Sequence, residues 1–264
     1  MIRNVSARLE LETAGTTNLV LSIAAASREL LSAESLEIRL DGSVIEPTEL
    51  VDRHGSRLHG VIADAGRMTI DYSAELSGRA EPPTVDPLDL IVYLRPSRYC
   101  ESDSLTPTAR SEFAGLSGTV LLSAVGTWVH DRLRYVPGSS RVTDGAVGTM
   151  LSREGVCRDY AHLVIALLRA IDVPARMAAV YAPGLSPMDF HAVAEAYVDG
   201  AWEVVDATGL APRQSLVRIS TGRDAADTAF LTNHWADLTL KDLQVMAVVD
   251  EFQADDGRSP VALC

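Results

Sequence analysis

Three cysteines, Cys100, Cys157 and Cys264, are too few, too far apart and odd in number for a disulfide framework, and they form no CxxC pair or Cys/His cluster of zinc spacing. Lys/Arg-rich runs are also missing, and 36 acidic against 23 basic residues leave a net charge of −13. Such a chain has nothing with which to follow a phosphate backbone or an anionic bilayer, so nucleic acid and membrane are not expected as partners. Apolar runs are short. The richest, Leu19 to Ala26, is broken by Ser22 and falls well below the roughly 18 residues of a spanning helix. Polar residues interrupt the first positions, Met1 to Val5, so no secretory leader is expected and the sequence predicts a cytoplasmic protein. Aromatic residues are sparse at 5%, but 47% of the 264 residues are hydrophobic, enough for a sizeable core.

Periodicity divides the chain. Apolar residues alternate with polar ones at Val5, Ala7, Leu9 and Leu11, the period of a half-buried strand. Leu19 to Ile23, Leu36 to Leu40, Gly60 to Ala63 and Met68 to Ala74 repeat the pattern between turn residues, which predicts a small antiparallel β-sandwich over residues 1–82. Pro82, Pro83, Pro87 and Pro96 then mark a junction at 83–100. In the remaining unit, 101–264, helices over Gly118 to Leu133 and Val156 to Ile171 precede strands at 176–181, 192–198, 201–205, 216–219 and 243–249, an α+β order.

Cys157 opens the second of those helices, in line with the apolar stripe Ala161, Val164, Leu168 and Ile171. A thiol at a helix N-terminus feels the positive end of the macrodipole, and the free backbone N–H groups there suit an oxyanion. Gly155 just before it permits close approach of a substrate. An inert buried cysteine beside an apolar face has the same appearance, so Cys157 alone decides nothing.

A hairpin supplies the other groups. Asp199-Gly200 is the dipeptide of a two-residue turn, which pairs Val198 with Ala201 and Tyr197 with Trp202. Extended one pair past Ala194 and Val205, this register sets Val193 opposite Asp206 and makes His191 and Asp206 diagonal neighbours, starting roughly 7 Å apart at the backbone. The carboxylate can then fix the imidazole tautomer and leave the other ring nitrogen for a thiol. A one-residue slip would put the two side chains on opposite faces. Asp189 is an alternative third member and Glu195 a more distant one. Tyr135 and the loop to Ser140 are candidates for a second oxyanion donor. Trp202 and Tyr197 are expected to pack across the hairpin, and Arg158-Asp159 to tie down the helix start. His54, His59, His130, His162 and His234 show no ligand spacing, so no metal site is expected.

The stretch Gly155-Val156-Cys157-Arg158-Asp159-Tyr160-Ala161-His162-Leu163 resembles the cysteine-helix motif of the transglutaminase-like superfamily. Phe190-His191-Ala192-Val193-Ala194-Glu195 and Trp202 to Thr208 resemble that family's histidine and aspartate motifs, in the same order. Trp128-Val129-His130, Leu133-Arg134-Tyr135 and Tyr93 to Tyr99 are similar to the flanking segments of bacterial members. The resemblance implies a papain-like fold, with Cys157 as nucleophile, His191 as base and Asp206 as its orienter, and no cofactor. Val193 departs from the tryptophan many members carry two residues after the histidine, which bears on cleft shape. The implied activity is thiolate acyl transfer on a peptide or carboxamide, with hydrolysis by a protease, peptidase or deamidase expected ahead of amine cross-linking. No calcium requirement is expected, because the chain has no EF-hand-like loop of spaced acids. The competing class is a protein-binding module that keeps the fold without using the thiol.

Overall fold

The computed structural model describes residues 1–82 and 84–263, so Pro83 of the expected junction and Cys264 lie outside the described residues. Strand Ile2–Thr13 alternates buried and exposed positions along its length, and Gly66–Ser77 does the same, as strands with one wet face must. They lie side by side in a five-stranded antiparallel sheet with Leu238–Val249, Leu31–Leu40 and Ser43–Val44. A second, four-stranded sheet orders Leu231–His234, Thr17–Leu21, Arg57–Ala63 and Thr48–Val51. Leu9, Leu11, Leu19, Leu21, Ile38 and Ile70 fill the space between the two sheets.

The sandwich is therefore closed by both ends of the chain. Residues 231–249, placed by the sequence with the carboxy-terminal unit, pair with Thr17–Leu21 and Ile2–Thr13. The cause is edge pairing: each of those amino-terminal strands has one side left open by its other neighbours, and the returning chain satisfies it.

The junction is partly helical. Asp86 caps a short helix, Pro87–Val92, by accepting the Leu88 N–H at 2.9 Å, and Pro87 occupies the first helical position, where its missing N–H costs nothing. A helix that the sequence did not predict, Ser102–Glu112, buries Leu105 and Ala109 in spite of Pro107.

The helix that carries the cysteine, Cys157–Arg169, is buried without interruption from Asp159 to Arg169. Helices Ser102–Glu112, Gly118–Arg132 and Ala146–Ser152 pack around it, and its remaining side meets a four-stranded antiparallel sheet ordered 201–205, 190–198, 175–181 and 217–222. The fold is thus a mixed α+β core of papain-like, transglutaminase-like type joined to a β-sandwich. The joint is apolar and hydrogen-bonded: Tyr181, Val217 and Ile219 of the core sheet belong to the sandwich's apolar cluster, and the Tyr181 hydroxyl donates to the Ile23 carbonyl at 2.8 Å. No helix among the described residues is long and apolar enough to cross a membrane.

Candidate active site

Cys157 sits at the first turn of its helix, free and half-buried. The start is fixed from within, since Asp159 Oδ2 accepts the Val156 N–H at 2.8 Å. It is also fixed from outside, because Ser140 Oγ donates to Asp159 Oδ1 at 3.0 Å and Arg158 donates to Ser140 Oγ and to the Arg141 carbonyl. Arg158 and Asp159 thus tie the helix start to the 136–144 loop through hydrogen bonds to Ser140 rather than a direct ion pair.

The hairpin has the expected register. Asp199 and Gly200 both take positive φ, and Val198 pairs with Ala201, Tyr197 with Trp202, and so on to Ala194 with Val205. At its far end His191 Nε2 donates to Asp206 Oδ2 at 2.8 Å, with both side chains almost fully buried. Burial alone would oppose an imidazolium, but the Asp206 carboxylate and then Cys157 outweigh it and raise the pKa of His191 to about 10. Burial likewise opposes the Asp206 carboxylate, yet His191 and Thr208 hold its pKa below the usual value. The other ring nitrogen, Nδ1, is buried with no hydrogen-bond partner among the described residues, although the thiol is near enough to raise the ring's proton affinity.

Two positions gain definition from the structure. Thr208 gives both its N–H and its hydroxyl to Asp206 Oδ1, at 2.9 and 2.7 Å, so one carboxylate oxygen is held while the other faces the histidine. The Asp-x-Thr spacing of a local side-chain turn was the available signal. Tyr135 pairs with Gly155 in a two-residue parallel ladder, which sets its hydroxyl against the backbone N–H and thiol of Cys157. Burial, followed by the neighbouring Cys157, pushes the phenol up to about 12, so it keeps its proton.

The alternative third members stand elsewhere. Asp189 borders the same cleft but accepts the Phe190 N–H at 2.7 Å, and burial raises its pKa. Glu195 is fully buried between Arg176 at 2.9 Å and Arg218 at 2.7 Å, and although burial opposes the charge these cations hold it at about 2. Trp202 packs against Tyr197 and under the Arg176 guanidinium, 4.0 Å from the ring centroid. Burial pushes His162 down to about 3, and its neutral Nε2 accepts the Ala225 N–H. His130 bonds the Ala207 carbonyl beside Asp206. No group of three His, Cys, Asp or Glu among the described residues could hold a metal ion.

Two cavities flank this constellation. One of about 450 Å³ is lined by both Cys157 and His191. A smaller one, about 170 Å³, lies behind Asp206 against residues 257–260 and touches neither, so the first is where chemistry at the thiol would take place.

Around one cavity the structure thus gathers a thiol at a helix N-terminus and an imidazole whose far nitrogen is held by a buried carboxylate. The family model of the transglutaminase-like superfamily matches residues 118–207, a span that holds Cys157, His191 and Asp206. The 1.9 Å crystal structure of a "putative cysteine protease" from Cytophaga hutchinsonii is 30% identical, covers 97% of this chain and 92% of that one, and superposes with a TM-score of 0.86. An uncharacterized Mycobacterium leprae protein is 26% identical over 137 residues, and the match spans about half of that curated relative, 48% of its length. The chain belongs to the transglutaminase-like superfamily.

Proposed function

We propose that the protein is a cysteine-dependent acyl-transfer enzyme that hydrolyses a peptide or carboxamide bond. The observation that carries this reading is the 2.8 Å contact of His191 Nε2 with Asp206, which leaves the buried Nδ1 to the Cys157 thiol. In this reading the thiol gives its proton to Nδ1, and the thiolate attacks the carbonyl carbon, forming a C–S bond as the C=O π pair moves to oxygen. The Cys157 backbone N–H and the Tyr135 hydroxyl are the donors for that oxyanion. The imidazolium then protonates the departing nitrogen as the C–N bond breaks, leaving a thioester. Water, relieved of a proton by Nδ1, attacks the thioester, and the acid leaves as the thiol is restored. Among relatives, the name of the Cytophaga protein points the same way.

A library of blocked peptides incubated with wild type and with Cys157→Ala, each with and without a primary amine, tests the reading. Cleavage or deamidation by wild type alone, with little amine incorporated, is the expected result. Dominant incorporation of the amine would make the protein a cross-linking enzyme, and equal behaviour of the two proteins would leave a binding module that does not use the thiol.

A further inference from the structure

The cavity on Cys157 and His191 is larger and less polar than a carbonyl needs. Its about 450 Å³ lie between the core sheet, which contributes Met177, Ala179 and Ile219, and the sandwich side, which contributes Leu231 and Leu243. Phe190 and Phe230, stacked with ring centroids 5.2 Å apart, form part of the lining. The ionisable lining groups other than the site's own are accounted for among the described residues: Arg158 is bound to Ser140 and the Arg141 carbonyl, Asp189 holds the Phe190 N–H, and Tyr99 donates to the Val142 carbonyl. A charged side chain laid against these apolar walls would lose its water with no counter-ion among them. On the sandwich side the Ser22 hydroxyl also lines the cavity, 2% exposed as a residue and without a hydrogen-bond partner among the described residues.

The position of the reacting carbonyl decides what fills such a space. In a glutamine side chain the carboxamide is terminal, so nothing but its leaving nitrogen lies beyond the reacting carbon. In a main-chain peptide bond the acyl residue's own side chain branches one atom from that carbon and must lie beside the thiol. Resting on the acyl-transfer reading above, we infer that the substrate is a polypeptide attacked at a main-chain carbonyl whose acyl residue is bulky and uncharged, seated between the core sheet and the β-sandwich. The apolar walls suit an aromatic ring, and a tyrosine would give the Ser22 hydroxyl a partner. The sandwich thereby becomes one wall of the specificity pocket, a role that explains why its strands Leu231–His234 and Leu238–Val249 are covalently continuous with the core.

Peptidyl chloromethyl ketones that differ only in the residue next to the ketone, alanine, phenylalanine, tyrosine, glutamate or lysine, test the inference through labelling of Cys157 read by mass spectrometry. Iodoacetamide, which needs no pocket, is the control. The tyrosine and phenylalanine probes are expected to label at least about tenfold faster than the alanine, glutamate and lysine probes. Leu243→Trp, which fills the pocket from a half-buried sandwich position, should slow the aromatic probes about tenfold while iodoacetamide labelling stays unchanged. Rapid iodoacetamide labelling with no aromatic preference, or aromatic probes indifferent to Leu243→Trp, overturns the inference alone. Slow iodoacetamide labelling of wild-type Cys157 overturns the acyl-transfer reading, and the inference falls with it.

Discussion

Gly155 and Asp159 approach so closely that a Cβ built on the glycine would stand 2.6 Å from the Asp159 Cβ. The carboxylate that caps the cysteine helix can hold the Val156 N–H only because residue 155 has no side chain. Gly155→Ala is expected to push Asp159 off its bonds to Val156 and Ser140 and to move the thiol. A shift near 1 Å at a nucleophile costs about 10²-fold in kcat/KM. Steady-state kinetics beside a circular dichroism spectrum check this, and unaltered kinetics would mean that the helix start does not set the thiol's position.

Asp206→Asn removes the charge that holds His191 protonated, and a loss of about 10²–10⁴-fold in kcat is expected. The same pair gives stability a pH signature. His191 has its pKa raised from 6.5 to about 10, so its contribution is complete below about 6.5 and is lost as the pH climbs toward 10. Asp206 is lowered from 3.8, so its contribution is present above that value and fades as the pH falls below it. The melting temperature of wild type should therefore exceed that of Asp206→Asn most between about pH 4 and 6.5. A difference that grows toward pH 10 would contradict the protonated pair.

Tyr135→Phe keeps the ring against Tyr160, 6.0 Å between centroids, and removes only the hydroxyl. Loss of one oxyanion donor is expected to cut kcat about 10²-fold with little change in KM. An unchanged kcat would assign Tyr135 to packing.

Glu195 differs from Asp206 in kind. Glu195→Gln removes the carboxylate that the buried Arg176 and Arg218 share, which costs about 3–5 kcal/mol in denaturant unfolding. At temperatures where the variant is folded, kcat should stay within about twofold of wild type, since nothing in the reaction passes through Glu195. A large kcat loss in a folded variant would reopen the question of the third member.

The parts of this site legible in the sequence are those set by local rules. A two-residue Asp199-Gly200 turn fixes the register of the strands it joins, and that register carries His191 to Asp206. Helical spacing behind Cys157 identified a buried helix for the same reason, because 3.6-residue periodicity is local. Other parts depend on contacts distant in the chain. Residues 231–249 close the sandwich through the open edges of strands more than two hundred residues earlier, as in Thr13 with Leu238, and no local pattern encodes that choice. Tyr135 reaches Cys157 through a parallel pairing only two residues long, too short to leave a period. Pro107 concealed the Ser102–Glu112 helix, whose buried Leu105 and Ala109, with Phe113 just past its end, recur every four residues.

Alkylation of the cysteines by iodoacetamide at about pH 6, followed residue by residue with mass spectrometry, bears most directly on the central claim that His191 and the helix N-terminus make Cys157 a nucleophile. Cys157 is expected to react faster than Cys264 and far faster than Cys100, which is fully buried and whose thiol burial pushes well above its ordinary pKa. His191→Ala should abolish that lead. A Cys157 that reacts at about pH 6 no faster than a free cysteine in solution would contradict the account.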